Sequence, residues 1–239
     1  GFTIIVLSDI TAEKNSEKTR SEFFANASHE LKTPLTSIKG FNDIVSMSTH
    51  EEKTKELSLK IDKEVTRIVT LINDMLDLSR LEAEEKPRTE KIDLKKVSES
   101  VIESLSALAD KKNVTVKLCG EGIVDMESEH AVELVKNLVE NAIRYNNDGG
   151  HVFVDIEKAD GAVKLSVKDD GIGIEDKYKQ RIFERFYRVD KSRSREMGGT
   201  GLGLSIVKHI CTLYNAELTL ESTLGVGTTI TVSIPAAKA

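Results

Sequence analysis

The sequence of 239 residues contains only two cysteines, Cys119 and Cys211, which lie far apart in the chain. No CxxC pair occurs, and the five histidines are scattered. Neither a disulfide framework nor a zinc site is therefore indicated. Each cysteine is expected to be a small, buried, apolar residue.

The chain also lacks an excess of basic residues. It has 34 lysines and arginines against 40 aspartates and glutamates, a formal net charge of -6. Domains that bind nucleic acid usually display a basic face, so we expect no nucleic-acid partner. A hydrophobic content of 39% with 31% charged residues is typical of a folded globular protein rather than a disordered chain.

Long apolar runs are missing as well, and no segment approaches the roughly 20 apolar residues that a membrane-spanning helix needs. The apolar stretch Phe2 to Leu7 is interrupted by Thr3 and predicts a single strand. Residues 1–11 resemble the last strand of a PAS sensor domain, and a frayed strand or linker is an equally open reading. Because the chain opens inside this strand, we expect it to be a fragment of a longer protein.

Residues 12–85 contain one glycine, Gly40, and one proline, Pro34. Apolar residues recur there at spacings of three and four, which predicts two helices, and the polar residues 46–56 predict the turn between them. Two such apolar faces cannot both be buried within one hairpin, so we expect dimerisation into a four-helix bundle. The two stripes are Phe24, Ala27, Leu31, Pro34, Ile38, Phe41 and Val45, and Ile61, Val65, Ile68, Ile72 and Met75.

After a charged linker at 82–90 the pattern changes to short β-rich runs alternating with helical stretches. This mixture, with the last two strands adjacent in sequence, predicts an α/β sandwich with a mixed sheet. The predicted strands are 114–118, 151–157, 162–169, 217–222 and 228–234, and the predicted helices are 93–111, 128–146 and 202–214.

The helix at 128–146 carries Asn137, Asn141 and Tyr145 at spacings of four, with Arg144 beside them. Asparagine is a poor helix former, so a compensating role is expected. An amide oxygen can coordinate Mg²⁺, and the arginine and tyrosine suit phosphate oxygens. A hydrated polar face remains the alternative.

Two glycine-containing segments follow. "VKDDGIGI" places Asp169 and Asp170 before Gly171 and Gly173, an acidic turn that on its own is an ordinary Asp-Gly turn. "GGTGLGLSIVKHI" places four glycines before an amphipathic helix, where backbone amides bind phosphate well, and a flexible hinge is the alternative. Its spacing matches neither a Rossmann fingerprint nor a Walker A loop. The basic run that precedes it, within residues 183–195, fits either a mobile lid over an anionic ligand or a solvated loop.

Taken in order, "SHELKTPL", "NLVENAIRY", "DDGIGI", "FERFYR" and "GTGLGLSI" resemble the H, N, G1, F and G2 boxes of sensor histidine kinases, over residues 18 to 235. The resemblance implies that residues 12–86 form a dimerisation and histidine-phosphotransfer hairpin. It implies that residues 87–239 form a catalytic ATP-binding domain of the Bergerat (GHKL) fold, and that residues 1–11 end an upstream sensor domain or linker.

Box by box, the resemblance implies that His29 accepts the phosphoryl group and that Glu30 orients or deprotonates its imidazole. Thr33 completes the motif that lets many relatives also dephosphorylate their response regulator. Asn141 matches the Mg²⁺ ligand, with Asn137 nearby, and Asp169 matches the acceptor of the adenine amino group. The other implied ATP contacts are Arg144, Tyr145, Gly171, Gly173, Arg188, Gly199, Thr200, Gly201, Leu202 and Gly203.

The implied partners are a second copy of the chain, joined through the hairpin, and the receiver domain of a response regulator. The implied setting is the cytoplasmic core of a membrane-anchored bacterial sensor, whose membrane segment would lie upstream of residue 1. One departure from the family pattern is Tyr214-Asn215-Ala216, where a turn like His-Gly-Gly is common. Asn215 is expected to take the left-handed conformation that ends a helix.

Two alternatives remain at this point. One is a GHKL-type ATPase of the chaperone or mismatch-repair kind, which uses a glutamate base one helical turn before the Mg²⁺-binding asparagine. Asn137 occupies that position here and cannot act as a base. The other is a signalling scaffold that binds ATP without phosphotransfer.

Overall fold

The computed structural model describes residues 11–47, 51–84, 87–159, 161–189 and 199–237. The predicted strand at residues 2–7 and most of the basic run after residue 189 lie outside these ranges. The chain forms two compact units, Gly1–Ile72 and Asn73–Ala239. None of the helices in the described ranges is both long and apolar enough to cross a membrane.

The first helical region is a hairpin of α1 (Thr11–Met47) and α2 (Glu51–Ala83), and it confirms the predicted pair of helices. The prediction of a turn over 46–56 was wrong in its extent, because α2 already begins at Glu51. Glu51 and Glu52 occupy its first turn, where carboxylates interact favourably with the helix dipole. Residues 51–56 of that polar stretch are therefore the mostly exposed start of a helix.

Burial within the first unit follows only part of the predicted stripes. On α2, Leu57 and Leu71 are buried, whereas Val65 and Ile72 of the predicted stripe are 43% and 42% exposed. Other large apolar side chains of the hairpin are also exposed, namely Leu35, Ile44, Met47, Leu59 and Val69. A single hairpin thus leaves a substantial apolar surface uncovered.

The second unit contains a five-stranded sheet in the order β2-β4-β5-β7-β6 and a small antiparallel pair, β1 and β3. β2 pairs with β4 in parallel and the other neighbours are antiparallel, which confirms the mixed sheet. The elements are β1 (Glu90–Asp93), α3 (Leu94–Ser104), α4 (Ser106–Lys111), β2 (Thr115–Gly120), β3 (Ile123–Met126), α5 (Ser128–Arg144), β4 (His151–Ala159), β5 (Ala162–Asp169), α6 (Asp176–Lys179), α7 (Gly203–Leu213), β6 (Glu217–Thr223) and β7 (Gly227–Pro235).

One face of the large sheet forms the core of the second unit. Alternate residues of the three inner strands are buried, as a half-covered sheet requires, and the register aligns Val154 with Val167 and Val167 with Ile230. Helices α3, α5 and α7 contact this sheet. The buried strand residues are Val152, Val154, Ile156, Val163, Leu165, Val167, Ile230, Val232 and Ile234.

Three details differ from the predictions. The predicted helix at 93–111 is interrupted at Leu105, which joins α3 to α4. Strands β1 and β3 were not predicted, because four residues are too few for a recognisable alternation. Cys211 is buried as expected but Cys119 is exposed, because its register on β2 places it beside the exposed Asp155 of β4, on the outer face of the sheet.

The last turns of α2 belong to the second unit. Leu78 and Leu81 are only 1% and 3% exposed. His209 Nε2 lies 2.9 Å from the carbonyl oxygen of Leu81, and Arg185 forms an ion pair with Glu82. The packing of residues 73–83 thus joins them to α7 and to the segment that precedes it.

Helix α7 ends as predicted, with Asn215 in the left-handed region at φ 52°. The N–H of Ala216 donates to the carbonyl of Cys211 at 2.8 Å, closing the turn before β6. Asparagine tolerates this conformation better than other side-chain-bearing residues do.

We expect Asn215→Ala to lower the free energy of unfolding by about 1 kcal/mol, because alanine is strained at positive φ, and Asn215→Gly to be neutral or stabilising. Urea denaturation of both variants measures the difference. Lys208→Ala, at an exposed position within α7, is the control for changes in helix propensity. Equal stabilities of the alanine and glycine variants would contradict the strain argument.

Candidate functional site

The exposed His29 lies on α1, one residue before Glu30. Arg67 of α2 donates a hydrogen bond from Nη2 to Glu30 Oε2 at 3.2 Å, and its own side chain is only 9% exposed. A second carboxylate, Glu64, lies 3.7 Å from Arg67 Nη1. Thr33 Oγ1 donates to the carbonyl oxygen of His29 at 3.2 Å.

Arg67 is a residue that sequence reasoning missed. It lies on the same buried face of α2 as Leu71, four residues later, in a position where the core of a hairpin normally has an apolar residue. A charge on a buried helix face is a usable signal, but its partner lies 37 residues away in the chain. The pattern alone could not identify Glu30 as that partner.

Helix α5 divides into two faces, as predicted. Leu134, Leu138 and Ala142 are at most 5% exposed, whereas Asn137 and Asn141 are half-buried on another face. The amphipathic spacing thus places two amide side chains along one line of the helix.

Asn137 links α5 to the start of α7. Its Nδ2 donates to the carbonyl oxygen of Glu133 at 2.8 Å and to Glu133 Oε2 at 3.1 Å. On the other side, a Cβ atom at Gly203 would lie 2.5 Å from Asn137 Oδ1. Only glycine permits this approach of the α7 backbone to α5.

The end of α5 is linked to the turn after β5. Arg144 donates to Glu140 Oε1 from Nε at 2.8 Å and from Nη2 at 2.5 Å. The carbonyl oxygen of Tyr145 accepts the N–H of Ile172 at 3.1 Å. A Cβ atom at Gly171 would collide with that same carbonyl oxygen.

Asp169 continues the buried alternation of β5, so its carboxylate lies on the core face of the sheet and is 8% exposed. Oδ1 accepts the backbone N–H groups of Gly171 at 2.9 Å and Thr228 at 3.3 Å. Burial raises the pKa of Asp169 to about 6, the two hydrogen bonds opposing part of that effect. A carboxylate has a second oxygen, which is suited to accept a hydrogen bond from a ligand amino group.

The glycine-rich segment is held by its threonine. Thr200 Oγ1 donates to Asp74 Oδ2 at 2.5 Å and accepts the N–H of Leu202 at 3.3 Å. Burial raises the pKa of Asp74 to about 6. Helix α7 starts directly after this segment, and no described side chain caps its N-terminal amides. Such amides attract anions.

A strained residue lies next to this segment. Phe186 has φ 60°, an unfavourable conformation for a bulky side chain that costs about 1–2 kcal/mol. Its N–H donates to the carbonyl of Gly201 at 2.9 Å, and a Cβ atom at Gly201 would lie 3.3 Å from Arg188 Nε. The segment containing Phe186 is therefore bonded directly to the glycine-rich segment.

The second unit thus brings together, through a chain of contacts, the end of β5, the polar face of α5 and the glycine-rich segment before α7. His29, Glu30 and Thr33 lie in the first unit. Among the residues that sequence reasoning did not single out are Arg67, which binds Glu30, and Asp74, which binds Thr200.

Comparison with known proteins gives two family matches. Residues 19–84 match the His Kinase A (phospho-acceptor) domain. Residues 126–238 match the histidine kinase-, DNA gyrase B-, and HSP90-like ATPase family.

Among curated proteins, the chain is 32% identical to the sensor histidine kinase WalK of Bacillus subtilis, over 97% of the chain and 39% of WalK. It is 35% identical to the sensor-like histidine kinase SenX3 of Mycolicibacterium smegmatis, over 98% of the chain and 62% of SenX3. The chain therefore spans less than two thirds of the length of either relative.

Among solved structures, the histidine kinase AdeS of Acinetobacter baumannii matches 88% of the chain and 98% of its own, with a TM-score of 0.70 and 23% identity. The histidine kinase ThkA, in complex with the response regulator protein TrrA, matches 98% of the chain and 69% of its own, with a TM-score of 0.73 and 22% identity. At these identities the structures support the fold.

We expect Asp169→Asn to stabilise the protein, by an amount that depends on pH. The raised pKa means that the folded state binds a proton more readily than the unfolded state, so the stability present below about pH 4 is lost as pH rises through about 6. Asparagine removes this loss while keeping an oxygen for Gly171 and Thr228. The gain should be on the order of 3 kcal/mol at about pH 8 and should vanish near pH 4.

Urea denaturation of the variant and the parent across this pH range measures the difference. Asp155→Asn, on the exposed face of β4, is the matched control and should leave stability unchanged. A gain for Asp169→Asn that does not vary with pH would contradict the assignment of the raised pKa to this carboxyl group.

Proposed function

This chain belongs to the sensor histidine kinase family, and from that membership we propose that it is an ATP-dependent kinase that phosphorylates its own His29. The observation that carries the proposal is the setting of His29. Its imidazole is exposed on α1, where it can reach a nucleotide and a second protein, and the neighbouring Glu30 is held by the buried Arg67. An exposed histidine beside an anchored carboxylate is suited to act as a nucleophile.

The proposed ATP site uses the residues that converge in the second unit. Asp169 accepts the adenine amino group, and the backbone amides at the start of α7 bind the phosphates. Gly171 lets the turn after β5 approach the end of α5, and Gly203 lets the start of α7 approach the side chain of Asn137. Arg144, Tyr145 and Arg188 supply phosphate contacts. Arg144 would have to exchange its bond to Glu140 for a phosphate oxygen.

We also propose Mg²⁺ as the metal that accompanies ATP. Its protein ligand would be the amide oxygen of Asn141, with Asn137 one turn earlier, and hard oxygen ligands of this kind suit Mg²⁺. When bound, the ion offsets negative charge on the phosphate oxygens. The residues of this chain hold ATP and the ion in position.

In the proposed reaction an imidazole nitrogen of His29 attacks the γ-phosphorus of ATP. A nitrogen–phosphorus bond forms, the bond from phosphorus to the bridging oxygen breaks, and ADP leaves. Glu30 accepts a hydrogen bond from the N–H of the other ring nitrogen, stabilises the positive charge that develops on the imidazole and accepts its proton. The phosphoryl group then passes from His29 to an aspartate of a response regulator.

Two partners are proposed. The exposed apolar side chains of the hairpin, among them Leu35, Val65 and Ile72, support a homodimer in which two hairpins form a four-helix bundle. The receiver domain of a response regulator is the second partner. ThkA, whose fold this chain shares, is described in complex with a response regulator protein.

We further propose that the chain is the cytoplasmic core of a membrane-anchored sensor and that it has response-regulator phosphatase activity. Thr33 would position the attacking water through its hydroxyl. That hydroxyl is at an exposed site on α1 and bonds only weakly to a backbone carbonyl at 3.2 Å, so it can turn to a substrate.

We expect incubation with γ-labelled ATP and Mg²⁺ to label the protein with an acid-labile, base-stable phosphoryl group, and His29→Ala to abolish the label. A nitrogen–phosphorus bond hydrolyses readily in acid, unlike a phosphate ester. The exposed His151→Ala is a matched control and should keep the label.

Two outcomes of that experiment would overturn the proposed kinase activity. Release of free phosphate without protein label would favour a GHKL-type ATPase. ATP binding with neither protein label nor phosphate release, or no ATP binding at all, would favour a signalling scaffold.

We expect Thr33→Ala to reduce dephosphorylation of the phosphorylated response regulator at least about tenfold while leaving the initial rate of His29 labelling unchanged. Thr36→Ala removes a hydroxyl that bonds to a carbonyl in the same way, Thr36 Oγ1 to the oxygen of Lys32 at 2.8 Å. It should affect neither activity. Equal losses in both threonine variants would point to an effect on the helix rather than on a water molecule.

A further inference from the structure

Lys112 follows α4 directly, and its ammonium group lies at the C-terminal end of α5. Nζ donates hydrogen bonds to the carbonyl oxygens of Arg144 at 2.5 Å, Asn146 at 3.0 Å and Ile143 at 3.3 Å. The last carbonyls of a helix have no partner within it and carry partial negative charge. An ammonium group offers three donors and a full positive charge to this end. Lys112 thus caps α5 from an element more than 30 residues earlier in the chain.

The segment capped by Lys112 also supports the turn that contains Asp169. The carbonyl of Tyr145 accepts the N–H of Ile172 at 3.1 Å, and Asn147 Nδ2 donates to the carbonyl of Asp170 at 3.0 Å. Residues 143–147 are therefore hydrogen-bonded to Lys112 on one side and to the turn after β5 on the other.

We propose that Lys112 is a positioning residue for nucleotide binding. It fixes the end of α5, which carries Asn141 and Arg144, against the turn that carries Asp169. The part of the site that binds phosphate and the part that binds adenine are then held at a constant distance from each other before a nucleotide binds. This inference rests on the proposed ATP site, and Lys112 acts through the backbone.

Loss of the ammonium group would leave the carbonyls of Arg144 and Asn146 to be solvated, whereas that of Ile143 would keep the N–H of Asn146. The last turn of α5 would therefore loosen. A looser turn weakens nucleotide binding, because ordering the turn on binding costs free energy and so lowers the affinity. The nucleophile His29 lies in the other unit and is not altered. The effect should therefore fall on KM for ATP more than on the rate at saturating ATP.

The test compares Lys112→Met with the unsubstituted chain. Methionine keeps the length and apolar part of the side chain but removes the charge and the donors. We expect the Kd for ADP, measured by titration calorimetry, and the KM for ATP in His29 labelling to rise about tenfold, with less than about a twofold change in the labelling rate at saturating ATP.

Lys111→Met is the matched control. It removes the same charge one residue earlier, at an exposed position, and should leave Kd and KM unchanged. Lys112→Arg retains the charge but not the compact group of three donors, so it should raise Kd and KM by a smaller factor, about threefold. The arginine variant carries the test by itself if the methionine variant does not fold.

Unchanged Kd and KM in the Lys112 variants would overturn the proposal. So would a smaller fraction of active protein with unchanged KM, since that result would assign Lys112 to stability alone. If the unsubstituted chain binds ADP but His29 is not labelled, the kinase proposal fails and the ADP titrations still test Lys112. If it binds no adenine nucleotide, both proposals fail.

Discussion

The register of the central strand β5 decides where the carboxylate of Asp169 lies. The backbone around that carboxylate is arranged to hydrogen-bond to it. The alternation of β5 that buries Val163, Leu165 and Val167 also directs Asp169 to the core face. A buried carboxylate is costly unless it is hydrogen-bonded, and the amides of Gly171 and Thr228 supply those bonds from two neighbouring strand ends. A shift of one residue in this strand would move the carboxylate to the exposed face. Fold and site are therefore specified by the same register.

Helix α5 connects this carboxylate to the rest of the site because its two faces have different roles. The apolar face packs in the core and holds the body of the helix, while Lys112 bonds to its C-terminal end. The close approach of Gly203 to Asn137 then brings α7 to that polar face. Rigid packing behind a polar surface is the usual way to hold ligand-binding groups at fixed distances.

Long periodic elements and contiguous motifs could be predicted from the sequence, whereas contacts between distant residues could not. The strand at 162–169 has the bounds predicted from its alternation, and the apolar face of α5 follows from the spacing of Leu134 and Leu138. Strands β1 and β3 are too short to have a period. Lys112, Arg67 and Asp74 were missed for another reason. For each of them the partner lies at least 30 residues away, and the neighbouring sequence does not identify it.

Two glycines of the second unit, one in the turn after β5 and one at the start of β7, have a consequence for inheritance. Gly173 has φ +65° and faces the carbonyl of Thr223, and Gly227 has φ +139° and faces the carbonyl of Asp169. Both are required by the backbone, whether or not a ligand is bound. A descendant of this chain that had lost its enzymatic activity would still need them to fold. Such a pseudoenzyme would keep these two glycines, and its loss of activity would be visible first in the side chains of the proposed site, such as Asn141 and His29.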